Sequence, residues 1–124
     1  MLGQVCTNVV NAFADPEVFE FFVQSLIQST GKSRGQCEGE LKITIDFFKN
    51  FCGDRVRFLA RSERFPGDHA GQFSTSYRFP YGPVAIILPF NFPLEIPFLQ
   101  VMGALFMGNK VLLKPDIRVG FPAE

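Results

Sequence analysis

Val84-Ala85-Ile86-Ile87-Leu88 and, beyond an uncharged stretch, Val111-Leu112-Leu113 decide the fold of this chain. Each is an unbroken apolar run, the pattern of a strand covered on both faces. Pro89 to Pro93 interrupts the first run, and Leu94 to Met107 then reads as a nearly uncharged helix. Pro97 is tolerable in that helix because it falls in the first turn, where its missing N–H has no helical partner to lose. Gly108-Asn109 ends the helix. Strand, helix and strand joined by short links form a βαβ unit, so the strands are expected to be parallel with a right-handed crossover. The fold class is α/β.

Upstream, the period changes. Phe73, Thr75, Tyr77 and Phe79 alternate with Ser74, Ser76 and Arg78, which predicts a half-exposed strand over 73–79. Pro80-Tyr81-Gly82-Pro83 is a turn. Earlier still the period is helical. Asp15-Pro16-Glu17 is a helix start, with Asp15 as the cap, Pro16 in the first helical position and Glu17 facing the positive end of the dipole. Val18, Phe22 and Leu26 follow at i+4 with Phe21 beside them, and Gly31 terminates the helix. A second helix is predicted from Glu38 to Cys52, with Leu41, Ile45, Phe48 and Cys52 in one row and Phe47 and Phe51 alongside. Gly53 stops it. Asp54 to Arg61 reads as a short helical piece and Arg64 to Gly71 as a loop.

Composition excludes several classes. The 124 residues fit one domain, and 12 basic against 12 acidic residues leave no basic face for a nucleic-acid backbone. A 47% hydrophobic content excludes a disordered chain. Ile96 to Asn109, the longest charge-free apolar stretch, falls short of the ~20 residues that span a bilayer. The first basic residue is Lys32, so no basic leader precedes it and no targeting peptide is read here. Sixteen Phe in so short a chain imply apolar area that other sequence or a partner covers, and the chain reads as a piece of something larger.

Two signals imitate chemistry. Gly31-Lys32-Ser33 resembles the end of a phosphate-binding loop, but the glycine that loop needs five residues earlier is Leu26. Cys6, Cys37 and Cys52 follow no zinc-ligand spacing, and His69 is the only histidine, so no metal site and no histidine-activated thiol is expected. Cys37, at a polar helix start, reads as inert.

Pro80-Tyr81-Gly82-Pro83-Val84-Ala85-Ile86-Ile87-Leu88-Pro89-Phe90-Asn91-Phe92-Pro93 resembles the aldehyde dehydrogenase superfamily, as does Gly108-Asn109-Lys110-Val111-Leu112-Leu113-Lys114-Pro115 after the intervening helix. Ser29-Thr30-Gly31-Lys32 and Ile45-Asp46-Phe47-Phe48 look like the family's first helices. The likeness runs from about Asp15 to Asp116. Phe79-Pro80-Tyr81-Gly82-Pro83-Val84-Ala85 and Asn91-Phe92-Pro93-Leu94-Glu95-Ile96-Pro97 are most similar to the plant kind of pyrroline-5-carboxylate dehydrogenase. Enzymes of that kind use NAD to oxidise glutamate semialdehyde to glutamate in the mitochondrial matrix.

The resemblance carries over residue by residue. It implies that Asn91 is the catalytic asparagine whose amide donates to the oxyanion formed when a thiolate attacks the aldehyde. Read without it, Asn91 is a turn-capping residue. Lys114 matches the lysine that hydrogen-bonds the adenosine ribose, at the C-terminal end of a strand where α/β sheets bind ligands. Its plain alternative is a solvated strand-end lysine. Ile87, Leu88, Pro89 and Phe90 match positions lining the NAD cleft, with core packing an equal reading.

Departures accompany the likeness. Ile117 stands where many members place an acid that holds the ribose hydroxyls, which leaves NAD against NADP open. Gly120 to Glu124 fits the family poorly. The family's second glycine-containing cofactor turn, its general-base glutamate and its nucleophilic cysteine have no counterpart in these residues. The expectation is therefore an incomplete cofactor-binding domain: leading helices, an oligomerisation-type strand over 73–79 and the first βαβ unit, inactive alone. Its partners would be an aldehyde substrate and further subunits, as a homo-oligomer or as a truncated product bound to full-length chains. A small α/β binding module is the remaining alternative.

Overall fold

Asp15 opens the second helix of the chain as its sequence dictates: the carboxylate accepts a 2.9 Å hydrogen bond from the Glu17 N–H, with Pro16 beginning the helix. The computed structural model describes residues 1–119, and the expectation for Gly120 to Glu124 lies outside the described residues. In chain order the elements are α1 (Leu2–Ala12), α2 (Pro16–Thr30), α3 (Arg34–Asn50), a 3-10 segment (Gly53–Ala60), β1 (Glu63–Pro66), β2 (Phe73–Ser76), β3 (Pro83–Ile87), α4 (Glu95–Phe106), β4 (Lys110–Lys114) and a 3-10 turn (Ile117–Val119).

Gly31 ends α2 at φ +69°, a left-handed conformation that costs any residue with a Cβ. Two residues on, Ser33 begins α3 with a capping box: its hydroxyl accepts the Gln36 N–H while the Gln36 amide oxygen accepts the Ser33 N–H. The helix therefore begins at Arg34, a turn before the expected Glu38. α1 was not anticipated. It exists because Cys6, Val9, Val10 and Phe13 make an apolar stripe that has α3 and α4 to pack on.

α3 is the centre of the helical layer. Cys37, Leu41 and Phe48 are buried among Phe13, Val23, Leu26 and Leu94 on one side and Cys6, Phe98 and Met102 on the other. Ile45 and Phe47, expected in or beside the buried row, are half-buried, and Phe21 of α2 is exposed. The true stripe is Cys37, Glu40, Leu41, Thr44 and Phe48, and it includes one carboxylate.

Parallel β3 and β4 pair in register from Pro83 with Lys110 to Ile87 with Lys114. This is the βαβ unit read from the sequence. Its cover differs from expectation. Ile86 is buried and Val84, Val111 and Leu113 are half-buried, but the alternate residues Ala85, Ile87 and Leu112 are exposed. Among the described residues the apolar run is thus covered on one face only. The residues before it also differ. Strand β2 ends at Ser76, not Phe79, and it pairs antiparallel with β1, in a stretch expected as loop. All eight strand residues of that hairpin are exposed.

Candidate functional site

The pairing of β3 with β4 fixes what lies at the C-terminal end of the sheet. Ile87 sits opposite Lys114, and the Leu88 N–H extends the ladder by donating to the Lys114 carbonyl at 3.1 Å. In a parallel pair, residues in register project to the same side, so Ile87 and Lys114 share the open face with Ala85 and Leu112. Ile87 is 76% exposed and Leu112 70%. Leu88 turns inward and is buried. Of the residues singled out in the sequence, Ile87, Leu88 and Lys114 are joined directly, and Pro89 and Phe90 lead away over the strand ends.

Asn91 lies farther along, in the loop between β3 and α4. It is exposed, and no hydrogen bond among the described residues holds its amide. Its neighbours are held. The Arg118 guanidinium covers the Phe90 ring at 3.8 Å from the centroid. Arg118 is in turn fixed by Asp116 through Nε at 2.9 Å and Nη2 at 3.0 Å, and this pairing lowers the Asp116 carboxyl well below the usual range. On the far side of Asn91, the Lys32 ammonium sits 4.0 Å from the Phe92 ring centroid. Pro93 and Leu94 are buried.

The start of α4 has no side-chain cap of its own. Glu40 of α3 supplies it: Oε1 accepts the Leu94 N–H at 3.0 Å and the Glu95 N–H at 3.4 Å, while Oε2 accepts Lys32 Nζ at 2.7 Å. The Glu40 side chain is 1% exposed. Burial, and secondly the charge of Glu40, push the neighbouring Glu95 carboxyl upward. Asp116, Arg118, Lys32 and Glu40 all escaped the reading of the sequence as site residues. For Glu40 a signal exists, since it stands in the apolar stripe of α3 at a position that a lone carboxylate occupies only when paired.

Ile117, the departure noted after Lys114, is 94% exposed at the start of the 3-10 turn. The three thiols are unpaired. Cys6 and Cys37 are fully buried, and burial pushes both thiols up, which is the opposite of what a nucleophile needs. Cys52 is half-buried and donates to the Phe48 carbonyl. Among the described residues no group of three or more His, Cys, Asp or Glu is placed to hold a metal ion, and no helix is long and apolar enough to cross a membrane.

Residues 17–121 match the aldehyde dehydrogenase family. The whole chain is 52% identical to the mitochondrial delta-1-pyrroline-5-carboxylate dehydrogenase 12A1 of Arabidopsis thaliana and covers 22% of that protein. Among solved structures it superposes on aldehyde dehydrogenase 21 of Physcomitrella patens, in complex with the reaction product succinate. The TM-score is 0.83 and the identity 28%, over 98% of this chain and 24% of that one. A Sinorhizobium meliloti protein described as a methylmalonate-semialdehyde dehydrogenase and solved with NAD gives a TM-score of 0.78 at 25% identity. That match covers 97% of this chain and 24% of the other. The chain thus spans about a fifth of the length of the relatives it matches.

Proposed function

The chain belongs to the aldehyde dehydrogenase family, and from that membership we propose that it is the N-terminal part of an NAD-dependent enzyme oxidising glutamate semialdehyde to glutamate in the mitochondrion. The identity along the whole chain to the Arabidopsis enzyme supports the substrate, the link to proline breakdown and the compartment. The cofactor is supported by the Sinorhizobium neighbour that holds NAD.

The observation that carries the reading is the register of Ile87 with Lys114, which sets an ammonium and an apolar surface side by side at the C-terminal ends of two parallel strands. An apolar face flanked by a donor suits an adenosine: Ala85 and Ile87 would hold the ring, and the Lys114 ammonium would donate to a ribose hydroxyl. Pro89 and Phe90 continue that surface past the strand end, and Leu88, whose side chain is buried, contributes its backbone. NAD, when bound, supplies the oxidising power of the reaction. Asn91 does separate work. Its amide is a neutral donor, exposed in the loop before α4 and without a hydrogen bond among the described residues, and it donates to the oxyanion formed at the aldehyde carbon. The attacking thiol is assigned to sequence outside these residues: Cys6 and Cys37 are fully buried, and half-buried Cys52 donates to the Phe48 carbonyl.

Two substitutions in the full-length enzyme test the assignment. Asn91→Ala is expected to slow acylation by the ~10²–10³ typical of a lost oxyanion donor. Lys114→Ala is expected to raise KM for NAD with little change in kcat, because its contact is equal in ground and transition states. If Lys114→Ala left cofactor affinity intact while Asn91→Ala weakened it, the two roles would be reversed.

A further inference from the structure

We infer that Glu40, through its contacts with α4 and Lys32, is the positioning residue for the loop that carries Asn91; the inference rests on the oxyanion role proposed for that asparagine. A hydrogen-bond donor stabilises developing charge only if it is fixed before the charge appears, yet among the described residues nothing bonds the Asn91 amide directly. Its placement must come from the backbone on either side.

The C-terminal side is where the structure invests. Phe92 lies under Lys32, Pro93 is buried, and Leu94 is held twice, by the core and by Glu40. Without Glu40 the first N–H groups of α4 have no side-chain cap, and the Lys32 ammonium loses its counter-charge. One buried carboxylate therefore fixes both the helix start and the cation covering Phe92. The arrangement is long-range: α3 reaches a loop more than fifty positions later, so the helical layer is coupled mechanically to the sheet end. A cleft of about 230 Å³, lined by Lys32, Glu40, Phe92 and Glu95 among others, lies along this contact and leaves the loop room to move once the carboxylate is lost.

Glu40→Gln is nearly isosteric, but its amide nitrogen cannot accept from Lys32 if its oxygen serves Leu94. The charge-assisted link is then broken on one side. In the full-length enzyme, single-turnover acylation would be measured at saturating NAD for Glu40→Gln, Asn91→Ala and the double variant. The expected result is an acylation slowed about 10- to 100-fold in Glu40→Gln, as for a small misplacement of a reacting group, with KM for NAD unchanged. The double variant should be no slower than Asn91→Ala, because the amide that Glu40 positions is gone. Effects that multiply in the double variant, or a Glu40→Gln enzyme that loses only thermal stability, would overturn the inference and leave the oxyanion role standing. An Asn91→Ala enzyme with normal acylation would instead remove the oxyanion role itself and this inference with it. Lys32→Met, which keeps the cap, covers the case that Glu40→Gln fails to fold. It should show a smaller loss in the same step that again vanishes beside Asn91→Ala, and an unchanged step would count against the inference.

Discussion

Arg34 ties two helices together with one guanidinium. Its Nη1 and Nη2 donate to Glu20 of α2 at 2.9 and 2.6 Å, and its Nε donates to Glu38 one turn along α3. These hydrogen bonds from Arg34, and next that from Gln24, lower the Glu20 carboxyl from its ordinary 4.5 to about 2. A depressed carboxylate adds stability that is complete above its unfolded value and fades as pH falls through the folded one. The stability lost on Glu20→Gln should therefore be visible at pH 7 and vanish between about 4.5 and 2. Both partners are about half exposed, so the difference should be modest and shrink further in salt. Urea unfolding of both proteins across that pH range measures it; a difference independent of pH would mean that the bidentate contact contributes nothing in solution.

Among the elements, the β1–β2 hairpin is the one whose geometry rests on a single small residue. The Gly67 N–H donates to the Gln72 carbonyl at 2.9 Å, and a Cβ on Gly67 would lie 2.4 Å from the Gln72 Cβ, too close for either backbone to stay. Overpacking of this kind costs typically about 1–3 kcal/mol, so Gly67→Ala should speed amide exchange in the hairpin roughly tenfold or more. Unchanged exchange would show that the hairpin closes without this contact. The same hairpin marks what the sequence concealed. Glu63-Arg64-Phe65-Pro66 has no alternation and ends in proline, so nothing in it announces a strand until β2 supplies a partner. By contrast, α2, α4 and the parallel pair were legible because caps, proline and glycine positions and unbroken apolar runs are local signals. The site divides along the same line. Asn91 and Lys114 stand out in short motifs. Glu40 shows locally only as a carboxylate in the apolar stripe of α3, and its partners in α4, like the rings under Lys32 and Arg118, lie across long sequence separations that no local pattern encodes.

At the scale of the whole molecule, the chain exposes 8441 Å², roughly a quarter more than the ~6,700 Å² expected for a compact monomer of its mass. The excess has an address. Ala85, Ile87 and Leu112 leave one sheet face open, and a cleft of about 550 Å³ runs between β3 and the exposed Leu99 of α4. Phe65 and Phe73 project from the hairpin, with Phe79 beyond it. Among the described residues, the two-stranded parallel sheet also keeps both of its outer edges unpaired. Open edges beside apolar faces associate, and the shared helical core does nothing to shield them. The isolated 124-residue chain should therefore elute from a size-exclusion column well above its 13.9 kDa or be recovered insoluble. Deleting apolar area from the open face should move it back: Ile87→Lys with Leu112→Glu is expected to raise the monomer fraction at equal concentration while leaving the α-helical circular dichroism intact. A wild-type chain that ran as a monodisperse monomer and unfolded in one sharp urea transition would mean that the open face is tolerated in water. The case for an independent binding module would then outweigh that for a segment completed by further sequence.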